Sequence, residues 1–186
     1  MCYYSPEDLS ELGFKNLGEN VLISKKTSIY NAAGITIGNN VRIDDFCILS
    51  AGVGGIIIGN NIHIGVYSSI IGSGKVELHD FSNISSKVAI YSSNDDYSGD
   101  FMTNPMVSSD FTNVTHRDVV IGKHVIIGSG SVVLPGVTLG EGVAIGALSL
   151  VKSDCKAFFI YAGSPAKCIK KRSMGLLQHE FMLLRG

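Results

Sequence analysis

Side chains that could move protons are gathered in one polar segment, residues 92–118. Its first part contains Asn94-Asp95-Asp96, and His116 stands near its end. An imidazole, whose pKa is near neutrality, suits general base chemistry on a hydroxyl group, whereas a carboxylate with an ordinary pKa of about 4 is a poor base for it. A carboxylate suits an amine better, because it can hold the ammonium form and take a proton later. The alternative is that Asn94-Asp95-Asp96 only form a turn, which these residue types do well.

The elements that must position this segment follow a six-residue repeat. An amphipathic helix repeats apolar residues every three or four positions and a half-buried strand every two, so a period of six fits neither. It is typical of a parallel β-helix, in which the first residue of each hexad points into a narrow core. The repeat is unbroken at Ile121, Ile127, Val133, Leu139, Ile145 and Val151.

The same repeat reaches back to the start of the chain in groups of three hexads. The step is six residues within each group, but 8, 9, 8 and 31 residues separate the first five groups. Since three hexads make one triangular coil, we predict about six coils with every insertion at the same corner. Short inserts such as 72–74 are glycine-rich, and the longest, 92–118, is predicted to protrude as a functional loop. The earlier inward residues are Leu17, Ile23, Ile29, Ile37, Ile43, Leu49, Ile58, Ile64, Ile70, Leu78, Ile84 and Ile90.

A short helix is predicted before the coils, in a capping segment 1–16. Ser5 is its expected N-cap, Pro6 lies in its first turn, and Gly13 can end it. Leu9 supplies an apolar edge that would cover the open end of the β-helix domain, 17–151.

After Val151 the period is predicted to stop, and segment 152–186 is expected to cross back as an extended basic stretch before a final helix. Ser173 is the expected N-cap of that helix. One face of the helix carries an apolar stripe predicted to pack: Met174, Leu177, Phe181 and Leu184.

Composition narrows the class of protein. The 186 residues include 45% hydrophobic and 17% charged residues, with a formal net charge of −1. The high hydrophobic fraction excludes a disordered chain and suggests that further surface is buried between subunits. The net charge near zero does not favour binding to nucleic acid. No long charge-free apolar run predicts a membrane span, and no secretory signal is expected. The cysteines are scattered and predicted to be free thiols in the cytoplasm: Cys2, Cys47, Cys155 and Cys168.

Three features matter together: the hexads, the long loop, and P-G-V-T-L-G-E-G-V-A-I-G-A-L-S-L-V followed by Y-A-G-S-P-A-K. With them the chain resembles the left-handed β-helix hexapeptide acyltransferases, near the maltose and galactoside acetyltransferase branch. Two further segments are I-G-N-N-V-R-I-D-D-F-C-I-L-S and N-D-D-Y-S-G. They are similar to segments of enzymes that acetylate the amine of a nucleotide-linked 4-amino-4,6-dideoxy sugar. Those enzymes serve the synthesis of surface polysaccharide, such as the lipopolysaccharide O-antigen. The resemblance implies an all-β, left-handed parallel β-helix. It also implies a homotrimer with acetyl-CoA as cosubstrate between neighbouring prisms, a sugar acceptor and no metal.

The resemblance also implies a catalytic residue. Where galactoside and maltose enzymes keep a histidine base, the aligned residue here is Asp95, which favours N-acetylation over O-acetylation. Asp96 is expected to assist. His116 is the rival base, and with it the alternative function is a sugar O-acetyltransferase.

Further residues are carried over as binding positions. For the sugar acceptor we expect contacts from Asn94, Tyr97, Ser73 and His63, the last because it points outward from its hexad. His79 and His124 also point outward and are predicted to be ordinary surface residues. The resemblance implies contacts to CoA from Gly128, Ser129, Gly146, Ala147, Lys152, Lys167 and Lys170.

Two other functions use the same fold. A γ-type carbonic anhydrase needs three histidines that meet at a metal, and the spacing of His79, His116 and His124 does not provide the usual set. A non-enzymatic scaffold would explain the hexads but leaves the polar loop and the basic tail without a purpose.

Overall fold

The hexads fold into three parallel sheets that form the sides of a prism. The computed structural model describes residues 2–185, and strands are numbered in chain order. Sheet I consists of β1 Asn16–Leu17, β4 Ile35–Ile37, β7 Ile56–Ile58, β10 Val76–Leu78, β15 Val119–Ile121 and β18 Thr138–Leu139.

The other two sides follow the same order of coils. Sheet II consists of β2 Val21–Ile23, β5 Val41–Ile43, β8 Ile62–Ile64, β11 Asn83–Ile84, β16 Ile126–Ile127, β19 Ala144–Ile145, β21 Phe159–Ala162 and β22 Lys167–Lys171. Sheet III consists of β3 Ser28–Tyr30, β6 Ile48–Ala51, β9 Ser69–Gly72, β12 Ala89–Tyr91, β17 Val132–Val133 and β20 Leu150–Val151.

The predicted inward residues form three columns that run up the core. In sheet II, for example, Ile64 pairs with Ile43 below and Ile84 above. All the predicted inward residues are buried except Leu17 and Ile29, two residues of the first coil that are partly buried and pack against the core. The prediction of the six-residue register is therefore confirmed at every position. Each coil buries aliphatic side chains at about 25 cal/mol per Å² of apolar surface, and this burial drives the stacking.

The first helix, α1 Pro6–Glu11, begins as predicted. Ser5 Oγ accepts a hydrogen bond from Asp8 N at 3.1 Å, and the Asp8 carboxylate accepts one from Ser5 N, which together make a capping box. Leu9 is only 3% exposed and packs against the core, so the helix covers the first coil.

The expected end of the repeat at Val151 is wrong. The chain continues into part of a seventh coil: Cys155 bridges to Leu139, and Tyr161 of β21 pairs with Ile145. The first hexad of this coil begins four residues after Val151 rather than six, which hides it from a search at fixed period. β22 then turns back antiparallel to β21 and ends sheet II.

The final helix, α2 Leu176–Leu183, differs from its prediction. Its N-cap is Gly175, not Ser173, whose hydroxyl instead accepts a hydrogen bond from Gly175 N at 3.2 Å. The expected apolar stripe is mostly exposed, with Phe181 54% and Leu184 68% exposed. The helix is attached through a polar contact, because Glu180 binds His124 and Lys123.

Candidate active site

The segment 92–118 leaves and re-enters the coils at the corner between sheets III and I, here called the loop corner. Its base is a two-stranded antiparallel ribbon, β13 Ser93–Asn94 and β14 Thr115–His116. Ser92 fixes the entry, because its buried hydroxyl donates to Gly74 O at 2.7 Å in the corner insert below. Arg117 N donates to Ser92 O at 3.0 Å and closes the exit. The loop therefore rises from a rigid base on the fourth coil.

His116 is held at this base by Ser93, which is not among the predicted site residues. Ser93 and His116 are direct partners in the ribbon, and Ser93 Oγ lies 2.7 Å from His116 Nδ1. Ser73 N donates to the same hydroxyl at 2.7 Å. Ser73 therefore meets the loop through its backbone amide. No pattern in the sequence points to Ser93, because its partner in the ribbon is 23 residues away.

The two predicted carboxylates have different surroundings. Asp96 is bound within the loop: it accepts hydrogen bonds from Ser98 N at 2.8 Å, from the Ser98 hydroxyl, and from Asn113 Nδ2 at 3.0 Å. These bonds, those of Ser98 first and then that of Asn113, hold the pKa of Asp96 below its ordinary value. Asp95 is exposed, and its carboxylate makes no hydrogen bond or ion pair to any residue between 2 and 185. Asp96 shapes the loop, whereas Asp95 is free to meet a ligand.

The opposite face of the ribbon lines a shallow cleft of about 290 Å³. Side chains alternate along a strand, so Asn94 and Thr115 face away from Ser93 and His116. Two cationic side chains border the cleft, Arg117 and Lys152. Leu134 and Pro135 of the next coil complete its wall. The predicted substrate residue Asn94 and the predicted cofactor residue Lys152 thus share one cleft, and Arg117 was missed.

Four predicted cofactor residues lie at a different corner, between sheets II and III. Gly128 and Ser129 follow β16, and Gly146 and Ala147 follow β19, with β17 and the rest of sheet III between them and the loop corner. A Cβ at Gly128 would lie 2.5 Å from Ala147 N, so the close stacking of coils itself requires this glycine. Within one chain, these residues and Asp95 do not come together.

The remaining predicted binding residues are scattered. Lys167 and Lys170 lie exposed on β22, at the top of sheet II. Tyr97 is 87% exposed on the loop. Each keeps its predicted role only as an expectation.

His63 lies on the outer face of sheet II within a polar network. Its Nε2 is 2.8 Å from Asp44 Oδ2, and its Nδ1 is 3.1 Å from Asn83 Oδ1. Arg42 Nε donates to the other oxygen of Asp44 at 2.7 Å. Both imidazole nitrogens are thus engaged, so His63 has none free to act as a base.

His124 is not the surface residue that was predicted. Its side chain is 9% exposed, stacks on Phe81 with ring centroids 5.1 Å apart, and binds Glu180 at 2.8 Å. Arg172 Nη1 donates to the carbonyl oxygen of His124 at 3.0 Å. His124 therefore anchors the C-terminal segment, while His79 is 51% exposed as expected.

Residues 2–185 contain no group of three or more His, Cys, Asp or Glu side chains arranged to hold a metal ion. In the same range, neither helix is long and apolar enough to cross a membrane.

Comparison with known proteins agrees with this architecture. Residues 118–153 match the family model of the bacterial transferase hexapeptide (six repeats). The dTDP-4-amino-4,6-dideoxy-D-glucose acyltransferase of Escherichia coli is 61% identical over 180 residues, which cover 97% of this chain and 94% of the relative.

Two solved structures of AntD, an N-acyltransferase from Bacillus cereus, superimpose closely. One, in complex with dTDP and 3-hydroxybutyryl-CoA, is 45% identical and has a TM-score of 0.95. The match covers 100% of this chain and 98% of the AntD chain. The other, a serine-to-cysteine variant in complex with dTDP-4-amino-4,6-dideoxyglucose and coenzyme A, is 44% identical, covers 98% and 97%, and has a TM-score of 0.95. The family prediction is confirmed: the chain belongs to the hexapeptide-repeat acyltransferases.

Proposed function

We propose that this acyltransferase moves an acyl group, most simply acetyl, from its CoA thioester to the amine of a nucleotide-linked 4-amino-4,6-dideoxy sugar. The relatives that align along nearly the whole chain carry that substrate class in their names and complexes. The observation that carries the choice of an amine is the exposed carboxylate of Asp95 on the loop, which has no partner among residues 2–185. Such an anion can hold an ammonium group, whereas it is a poor base for a hydroxyl group.

In the proposed reaction, the neutral amine attacks the thioester carbonyl carbon. The new C–N bond forms, the C–S bond breaks, and CoA leaves as a thiolate. The ammonium form of the acceptor has two protons to lose: one goes to solvent and one is finally taken by the thiolate. Asp95 orients the ammonium and receives the proton that leaves nitrogen as the tetrahedral intermediate collapses. Positioned proton transfer of this kind contributes about 10²–10⁴-fold to the rate.

The acyl-CoA site is proposed to lie between copies of the chain. Ser129 and Ala147 belong to the corner between sheets II and III, and Asp95 belongs to the loop corner, so one copy cannot bring both to the same ligand. Leu148, 76% exposed beside Ala147, gives the first corner an apolar surface to cover. We propose a homotrimer in which this corner of one copy faces the loop of the next. Lys152, Lys167 and Lys170 are then candidates for the CoA phosphates.

The cellular setting proposed is the cytoplasm, in the synthesis of a surface polysaccharide. All four cysteines are free thiols, which is usual in a reducing compartment.

A sugar O-acetyltransferase is the second candidate. It is favoured by one observation, the exposed imidazole of His116 at the base of the loop, whose Nε2 makes no hydrogen bond to any residue between 2 and 185.

An acceptor screen distinguishes the two functions. Acetyl-CoA and 3-hydroxybutyryl-CoA are each supplied with a dTDP-linked 4-amino-4,6-dideoxy sugar or its 4-hydroxy counterpart, and released thiol is measured. We expect turnover with the amine alone, and a strong loss in Asp95→Asn but not in the matched loop variant Asp100→Asn. Turnover with the hydroxyl sugar alone would refute the proposal and select the second candidate.

A further inference from the structure

His116 has one ring nitrogen engaged and one open. Nδ1 lies 2.7 Å from Ser93 Oγ. Nε2 makes no hydrogen bond to any residue between 2 and 185, and the side chain is exposed. A ligand at the loop therefore meets His116 only through Nε2. What Nε2 can do depends on which nitrogen carries the proton.

The surroundings of Ser93 decide that question. A serine hydroxyl has one proton to donate and two lone pairs to accept with. One lone pair is already used, because Ser73 N donates to Ser93 Oγ at 2.7 Å. Among the described residues the only other group bonded to this oxygen is His116 Nδ1. If Nδ1 carried the proton, the hydroxyl proton would have no protein acceptor; if Nδ1 is bare, the hydroxyl donates to it and every group is satisfied.

We propose that Ser93 holds His116 as the neutral tautomer with its proton on Nε2, so that His116 is a hydrogen-bond donor in the reaction and not its base. The donor is aimed at the oxygen of the thioester carbonyl, which becomes negatively charged as the amine attacks. A preorganised donor stabilises this developing oxyanion. The proton from the amine then goes to Asp95, and the two side chains have separate tasks. Ser93 is the positioning residue.

Rigidity supports the assignment. The amide of Ser73 belongs to the corner insert directly below the loop, and Ser92 Oγ ties the same corner to Gly74 O. The oxygen of Ser93 is therefore held by a backbone donor at the position from which it contacts His116 Nδ1. The imidazole is therefore held at the base of the loop, next to the coil.

The protonation state can be measured without substrate. Nitrogen-15 NMR of protein labelled at histidine distinguishes protonated from bare ring nitrogens, and the His116 signal is identified by its absence in His116→Gln. For the neutral imidazole of His116 we expect Nδ1 bare and Nε2 protonated. In Ser93→Ala the two tautomers should mix, and in Ser93→Thr, which keeps the hydroxyl, the single form should return. A proton on Nδ1 in the unaltered protein would overturn the proposal.

Kinetics test the role of Nε2 as a donor. This role rests on the proposed acyl transfer, whereas the assignment of the tautomer is independent of it. His116→Gln keeps an N–H donor but cannot act as a base. We expect it to retain about 10-fold more kcat than His116→Ala, whose loss should be about 100-fold, the effect of removing one oxyanion donor. Ser93→Ala should lower kcat about 10-fold with little change in KM, and Ser93→Thr should restore it.

The controls separate the possible failures. His179→Gln, an exposed histidine of α2, should match the unaltered enzyme. Equal losses in His116→Gln and His116→Ala would show that His116 is a base and overturn the donor role. If the unaltered enzyme acylates no amino sugar, the proposed function fails, while the NMR result still decides the tautomer. Thermal unfolding of each variant checks that it is folded.

Discussion

Asn113 Nδ2 donates a 3.0 Å hydrogen bond to Asp96 Oδ2 and joins the two ends of the loop above its ribbon. The same carboxylate accepts hydrogen bonds from the backbone and the hydroxyl of Ser98. Asp96 thus closes the loop upon itself, whereas the carboxylate of its neighbour Asp95 has no partner among residues 2–185 and can meet a substrate.

Asp96→Ala should loosen the loop without unfolding the coils. We expect faster proteolytic cleavage within 92–118 and a KM for the sugar raised several-fold, with the melting temperature almost unchanged because the loop lies outside the core. Since hydrogen bonds to Ser98 and Asn113 lower the pKa of Asp96, its ordering effect is complete above the unfolded pKa. It is lost as pH falls through the lower folded value. Limited proteolysis at pH 7 and at acidic pH checks both, and a cleavage rate identical to that of the unaltered chain would show that Asp96 does not close the loop.

Asp95→Asn should cost more activity than His116→Ala. The asparagine variant keeps the shape of the side chain but removes the charge that holds the ammonium, so we expect kcat/KM for the amino sugar to fall about 10³-fold. The loss in His116→Ala should be about 10²-fold. Steady-state kinetics with the amino sugar compare the two. The reverse order would make His116 the base.

The repeat could be predicted from the sequence because the residues that form the core recur at a fixed spacing. A β-helix buries one aliphatic residue in each hexad, so a residue such as Ile64 reveals its place without knowledge of its neighbours. The seventh coil was missed because Cys155 breaks the spacing and is not a large aliphatic residue.

Polar contacts at the site could not be predicted in the same way. Ser93 acquires its significance only when the ribbon places it opposite His116, and this pairing is set by how the loop closes. Ser129 and Asp95 lie at different corners of one prism. Counting coils alone does not reveal this, because each hexad must also be assigned to one of the three sheets. His124 was mistaken for a surface residue because its cover, α2, comes from 56 residues away.

Ile64→Ala should destabilise the coils strongly. Its side chain is fully buried between Ile43 and Ile84, and truncation of such a residue leaves a cavity that costs about 2–5 kcal/mol. The matched control is Ile57→Ala in β7, because Ile57 is 41% exposed on the outer face of sheet I and should cost far less. Urea unfolding at equilibrium measures both. Equal effects would contradict the assignment of inward and outward positions.

Glu180→Gln should weaken the attachment of the C-terminal helix. Glu180 binds Lys123 and also lies 2.8 Å from His124 Nε2, and these contacts, that of Lys123 first, hold the pKa of the carboxyl below its ordinary value. The glutamine keeps the size and a hydrogen-bonding amide but loses the charge, so we expect faster hydrogen exchange in α2 and a melting temperature lower by about 2–4 °C. Because the folded pKa of Glu180 is depressed, its stabilising effect is present above the unfolded pKa and disappears as pH falls through the folded value. The difference between Glu180→Gln and the unaltered chain should therefore vanish in acid and shrink at high salt.

Gln178→Glu on the exposed side of the same helix is the control for a change of charge alone. A difference in hydrogen exchange that persists at a pH well below the depressed folded pKa of Glu180 would assign the attachment to packing around Phe81 and Leu176 instead of to the carboxylate.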